Sequence, residues 1–137
     1  NFIVQELLTD EDGEYTCGLF RSTSGEIRSI IYKRKLMGGF SGFGSREEHP
    51  EITKLLNKIA VLLDLRGSIN VQLRLVNGIP VIFEINPRFS STVLFRHLMG
   101  YQDVIWSIQD KLGIPISSFN LNKNVSKFYK GFMEYIS

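Results

Sequence analysis

The sequence is short of cysteine, of long apolar runs and of charge of one sign. Its single cysteine, Cys17, excludes an internal disulfide and fits a reducing compartment, and its apolar neighbours predict a buried structural thiol. No apolar run approaches the roughly 20 residues of a membrane-spanning helix. No signal-peptide pattern opens the chain. We therefore expect a cytoplasmic protein with no membrane partner.

Charge is nearly balanced along the chain. Its 137 residues carry a formal net charge of +2, and only Lys33, Arg34 and Lys35 form a basic cluster. Three basic residues are too few to indicate nucleic acid, and a solvated strand end explains them as well. Residues 127–130 interleave aromatic and basic side chains, but the packing of a tail explains that pattern more simply. We expect no nucleic-acid partner.

Strand and turn signals dominate the first part of the chain. Residues 2–8 form an apolar run that stops at an acidic turn at residues 10–13, which predicts a strand followed by a hairpin. Two further strands are predicted at residues 15–21 and 27–35. Three consecutive strands joined by short turns indicate an antiparallel meander.

The rest of the chain mixes helices and strands without regular alternation. Residues 36–48 are rich in glycine and predict a mobile loop, but not a P-loop, because the Gly-Lys-Ser/Thr ending is missing. After it, the patterns predict a helix from Pro50 to Gly67, strands at 68–76 and 80–86, helices at 92–99 and 102–112, and a strand at 127–136. The order predicts an α+β fold, an antiparallel sheet with helices packed on one face.

One face of the hairpin around Asn77-Gly78 collects oxygen donors. Residues alternate between the faces of a strand, so Asn70 and Gln72 point away from the apolar positions of the first strand. Glu84 and Asn86 do the same on the second strand. A carboxylate with amide oxygens suits Mg²⁺ or Mn²⁺, which prefer oxygen ligands.

The register of this hairpin decides whether its donors share a face. A two-residue loop at Asn77-Gly78 would place Gln72 opposite Phe83 and split the polar set between the faces. A loop longer by one residue would place Asn70 opposite Glu84, with Gln72 diagonal to it on the same face. We expect the three-residue loop.

Arg88 follows the second strand, just beyond Pro87. Its guanidinium has the fork geometry that binds phosphate, and Pro87 stiffens the strand exit. Two interpretations of the segment stay open on chemistry alone. It is a metal and phosphate site, or it is a polar strand end.

Several segments together resemble the ATP-grasp superfamily, especially members similar to the large chain of carbamoyl-phosphate synthase. The resemblance rests on Gly67, on Asn70-Val71-Gln72 and on Glu84-Ile85-Asn86-Pro87-Arg88. Residues 4–8 resemble the hinge strand between the two lobes of that domain. Glu14-Tyr15-Thr16 resembles the acidic step that begins the next strand.

The resemblance covers roughly residues 2–113. It implies that residues 1–113 are the C-terminal lobe of an ATP-grasp domain and that residues 114–137 are an extension packed on the same lobe. The chain opens in mid-strand without an initiator Met, and the half that precedes the hinge is absent. We expect a fragment, an engineered boundary or a split protein, with the missing N-terminal half in cis or in trans.

The resemblance also implies how ATP would be held. Backbone groups of Glu6 and Leu8 would hold the adenine edge, and Glu14 would hydrogen-bond the ribose. Lys33, Arg34 and Lys35 lie where related sequences carry basic residues near the phosphates or the acceptor substrate, and Lys35 is the candidate taken from the three.

Metal ligands follow from the same resemblance. Gln72 and Glu84 would ligate one Mg²⁺, and Glu84 with Asn86 would ligate a second. Arg88 would stabilise the charge on the transferring phosphoryl group. Many relatives carry a carboxylate where this chain has Gln72, and a glutamine there resembles the carbamoyl-phosphate synthase branch.

These roles imply an ATP-dependent ligase. Such enzymes convert a small carboxylate substrate to an acyl phosphate, which an amine or another nucleophile then attacks. We expect the isolated chain to bind ATP weakly and to be inactive, because half of the site is missing. The alternative is a non-catalytic lobe of the same origin that serves as a binding or assembly module. The acid substrate, the nucleophile and the oligomeric state stay open.

Overall fold

A six-stranded antiparallel sheet organises the chain in a computed structural model, which describes residues 2–8 and 13–131. The strand order is β5-β4-β1-β2-β3-β6. The strands are β1 (Glu14–Arg21), β2 (Ile27–Met37), β3 (Phe40–Glu47), β4 (Gly67–Val76), β5 (Ile79–Asn86) and β6 (Lys127–Tyr129). The helices are α1 (Pro50–Leu62), α2 (Val93–Leu98) and α3 (Asp103–Lys111). The predicted α+β class and its antiparallel sheet are confirmed.

One apolar face of the sheet is covered by α1, and we call it the α1 face. Pro50 opens α1 at a position where its missing N–H is no loss, and His49 Nδ1 accepts a hydrogen bond of 3.4 Å from the Ile52 amide. Cys17 lies fully buried under the helix, and burial raises the pKa of its thiol to about 12. The buried cluster comprises Tyr15, Cys17, Leu19, Ile31, Ile52, Leu56, Ile59, Ala60, Leu65, Ile69, Val71, Leu73 and Leu75.

The opposite face, which we call the α3 face, is partly covered by the other two helices. Trp106 of α3 contacts Phe20 and Tyr101, with ring centroids 5.7 and 5.0 Å apart. The buried cluster comprises Phe20, Ile30, Tyr32, Met99, Tyr101, Trp106 and Phe128. The helices therefore divide between the two faces and do not share one, because both faces of β1 and β2 carry large apolar side chains. No helix in residues 2–8 and 13–131 is long and apolar enough to cross a membrane.

The glycine-rich segment expected as a loop is a strand over most of its length, so that prediction was wrong. The chain turns through Gly38 and Gly39, whose φ values are 59° and 82°, and returns as β3. Gly44 makes room for Phe128, because a Cβ at Gly44 would lie 2.5 Å from its ring. Glycine in a strand often marks such a close approach, and here it was mistaken for a loop signal.

The predicted strand at residues 2–8 is not formed. Its side chains are largely exposed, and two hydrogen bonds join it to the β4–β5 hairpin. Arg74 Nη1 donates to the Leu8 carbonyl over 3.0 Å, and Gln5 Nε2 donates to the Phe83 carbonyl over 3.4 Å. β1 and β4 are already paired on both edges, and the segment meets the edge strand β5 through the side chain of Gln5. The predicted acidic turn lies mostly outside the described residues.

The chain after α3 packs back on the α3 face. Ile116, Phe119 and Leu121 pack against the buried cluster there, and the Asn122 amide donates to the Met99 carbonyl over 2.9 Å. β6 then pairs with β3 at the sheet edge. Of the predicted strand at residues 127–136, the part beyond residue 131 lies outside the described residues.

Gly18 provides a test of how tightly the α3 face is packed. A Cβ at this position would lie 2.9 Å from both Arg96 Nη1 and Tyr101 Cε1. We expect Gly18→Ala to destabilise the fold by about 1–3 kcal/mol, the usual range for overpacking a core. Urea unfolding measures the change, and Gly131→Ala, which meets nothing within 4 Å, is the matched control. Equal stability of the two variants would contradict this packing.

Candidate functional site

The β4–β5 hairpin turns through two residues, Asn77 and Gly78. Their φ values are 52° and 77°, and positive φ at both central residues is the type I′ conformation that joins twisted strands. The expected three-residue loop was therefore wrong. Asparagine adopts the left-handed conformation more readily than most residues, so Asn77 can take it beside Gly78. In the expected three-residue loop, Gly78 was the residue assigned to this conformation.

A two-residue turn alone would place Gln72 and Glu84 on opposite faces of the sheet, and a β-bulge restores them to one face. Leu73 pairs with Ile82 but Gln72 pairs with Glu84, so Phe83 is an extra residue in β5. One extra residue reverses the faces of all the side chains beyond it. Gln72 therefore lies directly opposite Glu84 on the α3 face. The predicted shared face exists, although the two residues are direct neighbours where the sequence predicted diagonal ones.

Cross-strand pairing arranges the polar side chains of this face in rows. We call three of these rows on the α3 face the ligand face. Its rows are Arg34, Glu14 and Arg74; Tyr32, Thr16, Gln72 and Glu84; and Ile30, Gly18, Asn70 and Asn86. Four of the predicted metal and nucleotide residues, Glu14, Gln72, Glu84 and Asn86, thus lie in adjacent rows.

Glu14, predicted to bind the ribose, lies between two arginines. Its Oε1 accepts from Arg34 Nε over 2.9 Å and from Nη2 of the same side chain. Its Oε2 accepts from Arg74 Nη2 over 3.4 Å. The carboxylate therefore holds both guanidinium groups in place, a role that the sequence did not suggest.

Arg34 is the member of the predicted basic cluster that lies on this face. Lys35, the candidate expected from that cluster, is exposed and shares the strand parity of Ile31, on the α1 face. Arg34 has the opposite parity, and its Nη2 donates to Gln72 Oε1 over 2.6 Å. Strand alternation from Ile31 was the signal that could have identified it. The role of Lys35 stays a prediction.

The remaining hairpin residues are more open to solvent. Glu84 is exposed, and Arg88 is exposed with Nη1 donating to the Phe89 carbonyl over 3.1 Å. Asn86 is half-buried, and its side-chain Nδ2 is buried without a hydrogen-bond partner. A buried NH₂ that is not satisfied within the protein needs a hydrogen-bond acceptor, such as water or a phosphate oxygen, and cannot itself ligate a cation.

The donor set fits a hard divalent cation. Among residues 2–8 and 13–131, no three His, Cys, Asp or Glu side chains are grouped to hold a metal ion. Glu84 is therefore the carboxylate on which a metal would depend, with the Asn86 amide in the next row. Mg²⁺ suits such a sparse site, because it usually keeps several waters and takes oxygens from phosphate.

A small cavity lies where the adenine was predicted to bind. It has a volume of about 210 Å³ and is lined by the predicted residues Glu6, Leu8 and Glu14, with Gln5, Leu7, Arg74 and Phe83. Ligand pockets are usually about 300–1,000 Å³. The cavity is therefore one wall of a nucleotide pocket at most.

A buried polar cluster that the sequence did not predict covers the third row of the ligand face. Arg96 of α2 is fully buried, and its Nη2 donates to Asn70 Oδ1 over 2.6 Å. Thr16 Oγ1 donates to the same oxygen over 3.0 Å. Asp103 lies 4.0 Å from Arg96 and accepts from Ser68 Oγ, and burial raises the pKa of its carboxyl. The cluster anchors α2 and α3 to β4.

The antiparallel sheet and its helices match a lobe of the ATP-grasp fold. More closely, the chain belongs to the family described as ATP-grasp in the biosynthetic pathway with Ter operon, whose model matches residues 1–127. Among curated protein sequences, none matches this chain.

Solved ATP-dependent enzymes share the fold at low identity. The chain is 21% identical to the phosphoribosylaminoimidazole carboxylase ATPase subunit from Aquifex aeolicus, with a TM-score of 0.72 over 86% of this chain and 38% of that one. It is 15% identical to N5-carboxyaminoimidazole ribonucleotide synthetase from Thermus thermophilus, with a TM-score of 0.67 over 83% of this chain and 34% of that one. The chain thus spans well under half of these relatives, and the likeness shows the fold alone.

Arg96 provides a test of the buried cluster. We expect Arg96→Met, which keeps the length of the side chain, to destabilise the fold by about 3–5 kcal/mol, because it leaves Asp103 buried without its cation. Chemical unfolding measures this change. Arg66→Met is the control, because Arg66 is two-thirds exposed and its ion pair with Asp64 spans 3.6 Å. An effect of Arg96→Met no larger than that of the control would contradict the role of the cluster.

Proposed function

We propose that this chain is the metal- and nucleotide-binding lobe of an ATP-dependent ligase that activates a small carboxylate as an acyl phosphate. The observation that carries the proposal is the bulged hairpin, which brings Gln72, Glu84 and Asn86 to one face of the sheet. A polar strand end would not need an extra residue to keep three oxygen donors together. The bulge therefore favours the metal interpretation over that alternative.

Each part of the site has a task in this proposal. Glu84 and Asn86 hold a divalent ion, Mg²⁺ or Mn²⁺, which when bound supplies positive charge to the phosphate oxygens of ATP. Arg88, exposed beyond the end of β5, is free to turn toward the transferring phosphoryl group. Its planar fork stabilises negative charge that develops during transfer.

The small cavity supplies one side of the nucleotide site. Backbone groups of Glu6 and Leu8 hold the adenine edge, and Glu14 accepts from the ribose while it positions Arg34 and Arg74. Lys35 stays a candidate for the phosphates or the acceptor. A related synthetase from Staphylococcus aureus, 13% identical with a TM-score of 0.60, is solved with ADP, which supports nucleotide binding by this fold.

The kind of ligase is a finer proposal. Gln72 stands where many relatives carry a carboxylate, and this supports the carbamoyl-phosphate synthase type. The structural relatives are themselves named as synthetases, which supports ligase chemistry in general. We also propose that the protein is cytoplasmic and that the other half of the site comes from another part of the protein or from a separate subunit.

A second function deserves a test because the chain spans 38% or less of its structural relatives. In this alternative the lobe is a non-catalytic binding or assembly module. The hairpin donors would then be retained without binding metal. A direct measurement of metal binding separates the two.

Glu84→Ala tests the metal site. Changes to groups that only orient metal ligands weaken binding about 10- to 100-fold, so loss of the carboxylate ligand is expected to weaken Mn²⁺ binding at least as much. Electron paramagnetic resonance of free Mn²⁺, with and without ATP, gives the affinity. Glu51→Ala, an exposed carboxylate on α1, is the control. Unchanged Mn²⁺ binding by Glu84→Ala would favour the assembly module.

Activity of the isolated chain tests the proposed division of the site. Because the described cavity forms one wall of a nucleotide pocket, we expect weak ATP binding and no steady hydrolysis. Release of phosphate from ATP, measured with a range of small carboxylates and amines, provides the readout. Turnover near the enzyme median of about 10 s⁻¹ would show that this chain alone is a complete enzyme.

A further inference from the structure

We infer that Arg34 is the resident cation at Gln72, so that the hairpin holds a single divalent ion through Glu84 and Asn86. The inference rests on the proposed function and assigns a role to a side chain that the metal interpretation leaves out. It also changes the task of Gln72, from a metal ligand to the acceptor that positions Arg34.

The contact itself identifies the atom that is engaged. Arg34 Nη2 lies 2.6 Å from Gln72 Oε1. A guanidinium only donates hydrogen bonds, so the atom it meets must be the amide oxygen. That oxygen is also the only atom through which Gln72 could ligate a metal. The oxygen is therefore already bound to a positive charge.

The strand order separates the two possible partners of Gln72. Glu84 lies on β5, on one side of β4, whereas Arg34 lies on β2, two strands away on the other side. The hydrogen bond to Arg34 thus crosses over β1 and directs the amide oxygen away from β5. A metal at Glu84 would have to compete for this oxygen.

Arg34 makes other hydrogen bonds that a metal ion would have to break in order to displace it from Gln72 Oε1. Its Nε and Nη2 donate to Glu14, its Nη1 donates to Ser41 Oγ over 3.0 Å, and its side chain is only 8% exposed. All three nitrogens of the guanidinium are therefore engaged. A displaced Arg34 would lose these bonds and leave Glu14 with its longer contact to Arg74 alone.

The charges in this row also disfavour a second metal. Glu14 supplies one negative charge and is shared by Arg34 and Arg74, so the row carries a net charge of +1. Gln72 adds no charge to offset it. A divalent ion at Gln72 would lie next to this positive row, whereas an ion at Glu84 is stabilised by the negative charge of a carboxylate.

Side-chain amide signals in NMR test the inference without any activity. A carboxamide whose oxygen binds Mg²⁺ shifts its own NH₂ resonances. In the full chain at constant ionic strength, we expect MgCl₂ alone to shift the Asn86 amide and to leave the Gln72 amide unmoved. Equal shifts of both amides would overturn the inference but keep the proposed metal site. Absence of any shift would remove the metal site and the inference with it.

Arg34→Gln removes the charge and keeps a group that can hydrogen-bond Glu14. In this variant we expect Mg²⁺ to shift the Gln72 amide together with that of Asn86. Arg74→Gln is the matched control, because Arg74 contacts Glu14 from the other side but donates no described hydrogen bond to Gln72. The inference would be overturned if Mg²⁺ left the Gln72 amide resonances unchanged in Arg34→Gln, or shifted them in Arg74→Gln. If Arg34→Gln does not fold, the wild-type titration still decides.

Discussion

A type I′ turn joined to regular strands would place Gln72 and Glu84 on opposite faces of the sheet, and the extra residue Phe83 prevents this. Everything proposed for the ligand face depends on this single change of parity. Between the turn and the bulge, β4 and β5 pair in the register that a two-residue turn sets. Beyond the bulge, the shifted register places Gln72, Glu84 and Asn86 on the same face of the sheet. The bulge also leaves the Phe83 carbonyl available to Gln5, so it touches the predicted hinge as well.

The second constraint is a row of charged side chains contributed by three strands. Arg34, Glu14 and Arg74 come from β2, β1 and β4 and meet only because the register aligns them in one row. The row is partly buried, so its ion pairs are weakly screened compared with those at an open surface. This fixed positive charge lies in the row next to that of Gln72 and Glu84.

Strand alternation predicted much of the fold and the membership of the hairpin face, because period-two patterns report which residues lie together. The same patterns could not tell a three-residue loop from a two-residue turn followed by a bulge, since both give the same parity at Glu84. β3 was missed because glycines that admit Phe128 resemble loop glycines in sequence. Arg34 was within reach by parity, but its partner Glu14 is visible only in three dimensions. Arg96 lies in a predicted helix, and no pattern in the sequence indicates its full burial.

The Arg96 side chain lies over Gly18 and donates a hydrogen bond to Asn70. Asn70 is paired directly with Asn86 across β4 and β5. The helices and the hairpin donors therefore share one strand and one hydrogen-bonded contact. Anything that binds Asn86 and Glu84 more tightly when β4 is held in register must, by thermodynamic reciprocity, strengthen the docking of α2. Ligand binding at the site and docking of the helices on the sheet are then thermodynamically linked. Slower hydrogen exchange of the α2 and α3 amides would therefore report the binding of a ligand that contacts neither helix.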